Sequence, residues 1–231
     1  MREELEGGGF PVNDFTDSGI QPLGPFTSLR DYHTAHLQLV LDLIVRDELY
    51  ALQPVDAYLV HRFLLEIIPD VLPQSVGGQE SFYLKHADDK GDHILIDEDF
   101  SITAVIDWEW AYTTSQTLAF NSPIAILPVK TFYDGSNELG EDELVFIKLL
   151  EEAKRHDLAQ IVREGRLHHR FMFCGGYDLE DWRGFLGLFH GLRKLVGADD
   201  SLDWDAWKKV ALERYRDDDG LQTLLSRAIN K

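Results

Sequence analysis

Polar side chains that could do chemistry crowd two short stretches of this sequence. His86, Asp88, Asp89, Lys90, Asp92 and His93 precede a pair of apolar β-branched runs, and Asp107 and Glu109 follow it. The runs are Ile94–Ile96 and Ile102–Ile106, joined by Asp97-Glu98-Asp99-Phe100-Ser101. That pattern predicts a β-hairpin with a loop of about five residues. The two ends of a hairpin lie close together, so the flanking polar groups converge. Carboxylates brought together repel unless a cation lies between them. The chemistry implied is metal-assisted; the plainer alternative is a solvated acidic turn. Asp107 favours chemistry, because it follows Val105-Ile106 directly and precedes Trp108. A carboxylate ending an apolar strand beside a bulky aromatic is costly without a partner.

Helices must position this hairpin. Ser28 and Asp31 form a Ser-x-x-Asp cap, and Leu29, Tyr32, His36, Leu39, Val40 and Leu43 then recur at helical spacing. His33 and His36 are three apart on that helix, which suits a metal, but no third ligand stands near and two ordinary histidines are the simpler reading. A second helix opens after Pro54 near Asp56, carries Tyr58, Leu59, Phe63, Leu64, Ile67 and Ile68, and is predicted to end at Pro69 and Pro73. Gly77-Gly78 opens a loop, and Phe82–Leu84 is a short apolar run. After Trp110 the pattern is mainly helical, with segments expected over Glu141–Arg155, Leu179–Val196, Trp204–Arg214 and Leu221–Ile229. Residues 1–23 form a Gly-, Pro- and Asp-rich lead-in predicted to be flexible. Gly7-Gly8-Gly9 is no phosphate loop, since no strand precedes it and no Gly-Lys-Ser/Thr follows. The expected fold is α+β and predominantly helical, with a small hairpin.

Composition narrows the partners. The 231 residues are 44% hydrophobic, enough for one well-buried core. With 41 Asp+Glu against 22 Lys+Arg, the formal charge is −19. Phosphate neutralisation needs clustered Lys and Arg, so neither nucleic acid nor an anionic membrane is an expected partner. An acidic surface also attracts cationic small molecules, although solubility explains it more simply. The single cysteine, Cys174, cannot form an intrachain disulfide; beside Phe171, Phe173 and two glycines it reads as a buried structural thiol. No signal-peptide core and no spanning apolar run is visible, so a cytoplasmic protein is expected.

His86-Ala87-Asp88-Asp89-Lys90-Gly91-Asp92-His93, followed by Ile94-Leu95-Ile96-Asp97, resembles the catalytic loop of the aminoglycoside phosphotransferase and choline kinase-like family, a branch of the protein-kinase-like superfamily. The family pattern is His-Gly-Asp-Leu-His-Pro-Gly-Asn before an apolar strand. Ile106-Asp107-Trp108-Glu109 is similar to the family's Ile-Asp-Trp-Glu, the counterpart of the kinase Asp-Phe-Gly. The spacing of one hairpin between the blocks fits as well. The helices over residues 25–69 and the tail with Arg166-Leu167-His168-His169-Arg170 look like the helical C-terminal lobe of fungal members. The resemblance covers roughly residues 24–215, and residues 24–231 are expected to form that lobe.

The resemblance implies Asp88 as catalytic base, with His86 and Lys90 beside it in the catalytic loop and Lys90 towards the γ-phosphate. It implies Asp107 as ligand of Mg²⁺ bridging the phosphates of ATP. Beside that site Glu109 is a candidate to face a cationic substrate, and Trp108 and Trp110 are candidates to stack on a ligand, although alternating aromatics after a strand are more often core and rim. His93 stands where the family has a metal-binding Asn, and Asp92 is a substitute oxygen ligand; imidazole is a poorer partner for Mg²⁺ than for zinc. No strand–glycine-rich-loop–strand precedes Asp88, so the upper lobe is expected to be absent from this chain or supplied by another. Three functions follow: ATP- and Mg²⁺-dependent phosphoryl transfer to a hydroxyl of a small molecule, a non-catalytic binding module, or a metal-dependent phosphoesterase using His86, Asp88, His93 and Asp107.

Overall fold

A computed structural model describes residues 23–72, 81–86, 88, 90–176, 182–199 and 201–229. The lead-in up to residue 22, Gly77-Gly78, Ala87 and Asp89 lie outside the described residues. The helices are α1 (Leu29–Val45), α2 (Pro54–Val71), α3 (Gln116–Ala119), α4 (Val129–Tyr133), α5 (Glu141–Glu152), α6 (His156–Glu164), α7 (Arg166–Gly176), α8 (Trp182–Leu195), α9 (Trp204–Arg214) and α10 (Asp219–Ile229). The strands are β1 (Phe82–Lys85), β2 (Ile94–Ile96), β3 (Ile102–Val105) and β4 (Tyr112–Ser115). The protein is α+β and mostly helical, with two small antiparallel sheets. No helix among the described residues is long and apolar enough to cross a membrane.

The chain divides into two compact units. The first takes residues 75–130 and 138–168, with the chain up to Leu29; the second takes 30–74, 131–137 and 169–231. In the second unit, α1 buries Leu37, Val40, Leu41 and Ile44, the three- and four-residue spacing of one helix face. Pro54 starts α2 at a position where its missing N–H costs nothing. This helix runs on through Pro69 to Val71, two residues beyond the expected stop. Proline removes one intrahelical bond, and Ile67, Ile68 and Val71, all buried, hold the last turn in place. Phe63, Phe189 and Trp207 pack edge to face, with Trp207 fully buried. Side chains of this size contribute roughly 1.5–3 kcal/mol each on burial. Asp203 caps α9 by accepting from the Ala206 N–H at 2.9 Å.

Around His168-His169, with Arg166 and Arg170 beside them, the sequence predicts a helix boundary with ordinary surface charge; α7 does begin at Arg166, but neither arginine is a surface charge. Both lie within α7 and are buried, Arg170 completely. In the second unit the Arg170 guanidinium donates to the Phe132 and Ser136 carbonyls and to Asn137 Oδ1. It satisfies backbone groups after α4 that would otherwise be costly to bury. In the first unit Arg166 donates to Glu143 Oε2 at 2.6 Å and to the Glu138 carbonyl at 3.0 Å. Glu143 also accepts from the Gly140 N–H and the Ser122 hydroxyl, so one buried carboxylate caps α5 and ties it to the loop after α3. Cys174 is buried as expected, and burial pushes its thiol up to about 12.

Candidate active site

The first unit frames the polar stretches twice. β1 and β4 pair antiparallel, from Phe82 with Ser115 to Lys85 with Tyr112. The chain therefore leaves and re-enters this sheet at adjacent points, just before His86 and just after Ala111. Inside that frame β2 and β3 form the expected hairpin, with Ile94 opposite Val105 and Leu95 opposite Ala104. One further ladder bond, from the Ile106 N–H to the His93 carbonyl at 3.0 Å, extends the pairing to the edge of the polar residues. Residues 86–93 and 106–111 are thus held at both ends. Sequence patterning missed β4: Tyr-Thr-Thr-Ser carries no apolar run, and its pairing to β1 is long-range.

The hairpin loop is set by Asp97, whose Oδ1 accepts from the N–H groups of Asp99 at 3.0 Å and Ser101 at 2.9 Å. This Asx-type turn carries Phe100 at φ 61, a left-handed conformation unusual for a bulky residue. Thr103 is the extra residue of a bulge between the Leu95 and Ile96 pairings, and its hydroxyl donates to the Leu95 carbonyl.

Within the frame His86 is the hub. Its Nε2 lies 2.7 Å from the Ile106 carbonyl oxygen, which can only accept, so Nε2 carries the proton. Its ring stacks on His93, centroids 4.1 Å apart and 16° from parallel, and meets the edge of Trp108 at 4.9 Å. The Trp108 indole N–H in turn donates to the Val105 carbonyl at 2.8 Å. His93 is buried, and both His86 Nδ1 and His93 Nδ1 are buried without a hydrogen-bond partner among the described residues. Asp88 and Lys90 form an ion pair, Oδ1 to Nζ at 3.0 Å, and this contact holds the Lys90 ammonium above the usual lysine range.

Asp107, Trp108, Glu109 and Trp110 are all exposed. The expected burial cost at Asp107 is absent, and the two tryptophans are not core. Asp107 instead carries a different signature: φ 63 and ψ 44, the left-handed region, at the start of a 3-10 turn over Trp108–Trp110. Its carboxylate makes no hydrogen bond or ion pair among the described residues. Backbone held in that region costs on the order of 1 kcal/mol for a non-glycine residue, less for Asp and Asn.

The donor set can be tested against Mg²⁺. This ion keeps several waters and takes one or two carboxylates plus phosphate oxygens, without a protein cage. The free, exposed Asp107 carboxylate fits that role. His93 does not: its ring is buried against His86 and is a soft ligand for so hard an ion. Asp92 is exposed and lies 3.9 Å from His93 Nδ1. No grouping of three or more His, Cys, Asp and Glu among the described residues is placed to hold a metal ion. His33 proves to be a core residue of the second unit, edge-on to Tyr32 and Phe171, and His36 is half-buried and stacks on Tyr32. No protein-family model, curated protein or solved structure matches the chain.

Proposed function

We propose that residues 86–111 form the reacting end of a kinase-like small-molecule phosphotransferase lobe. The observation that carries this reading is the His86–Ile106 hydrogen bond, which joins the stretch bearing Asp88 to the stretch bearing Asp107. In this reading Asp88 accepts the proton of a substrate hydroxyl as its oxygen attacks the γ-phosphorus of ATP, and the diphosphate leaves with the electron pair of the broken bond. Lys90 holds Asp88 in place and offers a cation to the transferred group. Asp107 takes Mg²⁺, which supplies charge neutralisation of the phosphates. Glu109 and Trp108 stand exposed where a hydroxylated substrate would meet them.

The test is thermal unfolding with Mg²⁺ and ATP, paired with phosphate transfer to a panel of hydroxylated amines and sugars. Binding of a ligand to the folded state raises the midpoint by mass action. Asp88→Asn is expected to abolish transfer and keep the nucleotide-induced shift. Transfer that survives Asp88→Asn removes Asp88 as the base.

A specific observation favours a second reading, a non-catalytic binding module. His93, in the position of the metal-binding Asn, is buried with its Nδ1 unpartnered among the described residues, and the β2–β3 ribbon is exposed on both faces. A folded chain that shows no shift with any nucleotide selects this reading. The metal-dependent phosphoesterase reading gains no support from the placement of His86, Asp88, His93 and Asp107.

A further inference from the structure

Among the described residues the β2–β3 ribbon stands out for apolar side chains open to water. Leu95, Ile96, Ile102, Phe100 and Trp108 expose 44%, 53%, 66%, 82% and 47% of their surface. Leu95 and Ala104 form one pair and Ile94 and Val105 the next, so alternation puts apolar side chains on both faces of the ribbon. Each strand pairs only with the other among the described residues, leaving two outer backbone edges. An isolated two-stranded hairpin is marginally stable in water. A contiguous apolar patch of this kind marks a surface that another molecule covers.

Charge decides which molecule. Asp92, Glu98, Asp99, Asp107 and Glu109 rim the ribbon, and all are exposed. The cations of the same stretch are already engaged: Lys90 pairs with Asp88, and Lys85 donates to the Leu118 carbonyl at 3.2 Å. The ribbon thus presents bare strand edges and apolar side chains inside an acidic border. A second copy of this chain would bring the same carboxylates face to face, on a molecule of formal charge −19, which repels association. We infer that the ribbon is a docking strand for a basic, extended polypeptide segment of a partner protein. Such a segment adds its backbone to an open edge, sets alternate apolar residues beside Ile94 and Ile96 on the β2 edge or beside Ile102 on the β3 edge, and aims Lys or Arg at the acidic border. This inference does not rest on phosphoryl transfer, and the Asp88→Asn chain should bind the segment as the parent does.

The probe is a fluorescent synthetic peptide alternating Val and Lys, titrated onto the full chain by anisotropy. Two control peptides of equal length alternate Val with Glu and Ser with Lys. Amide hydrogen exchange is followed with and without the probe. The Val–Lys peptide should bind, weaken as salt is raised, and protect amides within residues 94–106. Ile96→Lys with Ile102→Lys should weaken it by at least about tenfold, as should Glu98→Lys with Asp99→Lys. Both pairs alter exposed side chains, and circular dichroism checks that each variant folds. Equal binding of the Ser–Lys peptide without protection at 94–106 would mean charge attraction alone and overturn the proposal. So would equal binding of the Val–Glu peptide, or no binding at all. A dimer of the parent chain that Ile96→Lys dissolves would assign the ribbon to a second copy instead.

Discussion

His86 Nε2–H donates to the Ile106 carbonyl across 2.7 Å, a single bond that spans the two polar stretches. The bond fixes the tautomer and leaves Nδ1 as a buried acceptor without a partner among the described residues. Replacing the ring by Phe keeps the stacking on His93 and removes the donor. His86→Phe should therefore lower stability by about 1 kcal/mol, the net worth of an ordinary hydrogen bond, read from the urea midpoint. It should also speed amide exchange at Ile106 and Asp107. An unchanged exchange rate there would show that the ladder bond from Ile106 to His93 holds the strand end by itself.

The Glu143–Arg166 pair is a buried ion pair of the first unit, with side chains 1% and 5% exposed. Removing one partner leaves a buried charge uncompensated, at a cost of about 3–5 kcal/mol. Arg166→Met is expected to destabilise by that amount. Glu143→Gln should cost less, because the amide oxygen in the Oε2 place still accepts from the Gly140 N–H and from Arg166 while the NH2 donates to the Ser122 hydroxyl oxygen. The double variant Glu143→Gln/Arg166→Met should recover part of the loss, and urea unfolding of all three separates the ion pair from the cap. Additive losses would mean the pair carries no coupling energy.

Stability should fall in mild acid because of the histidines in the second unit. Burial lowers His33 to about 3 and His36 to about 4, and it lowers His61 as well. The unfolded chain takes up protons at these positions near 6.5, well before the folded chain does. Their contribution is therefore complete above about pH 6.5 and is lost as pH falls towards the folded values. At about pH 5 the loss is roughly 2 kcal/mol for each of His33 and His36. Urea midpoints from pH 7 to about 4.5 should fall steeply for the parent and less steeply for His36→Gln. Parallel curves would remove His36 as a contributor.

Much of this fold is readable from local pattern. The β-branched runs at Ile94 and Ile102 specify the hairpin, and the aromatic spacing of Trp182–Leu195 and Trp204–Arg214 specifies two helices. What escapes is set by contacts distant in sequence. β4 exists because β1 lies beside it, and the short helices α3 and α4 and the start of α7 carry too few residues for a period to emerge. Arg166 and Arg170 read as surface charge because sequence cannot say that Glu143 and the Phe132 carbonyl wait for them. At the candidate site the convergence of the two polar stretches follows from a hairpin, and that much is legible. The exposure of Trp108 and the left-handed backbone at Asp107 are not, since both depend on what does and does not pack against the ribbon.

That backbone allows the carboxylate of Asp107 to be separated from its conformation. At φ 63 glycine is free of the Cβ conflict, asparagine tolerates it, and alanine does not. Asp107→Ala should destabilise by about 1 kcal/mol, Asp107→Asn should be near neutral, and Asp107→Gly should match or exceed the parent. Because the carboxylate is exposed and unpaired, its loss adds nothing to these differences. Midpoint shifts caused by Mg²⁺ with nucleotide are predicted to follow a different order. Asp107→Gly and Asp107→Ala should lose the shift alike, while Asp107→Asn keeps a neutral oxygen and a reduced shift. A nucleotide shift that persists in Asp107→Gly would remove Asp107 from metal binding and leave its left-handed turn as a feature of the hairpin alone.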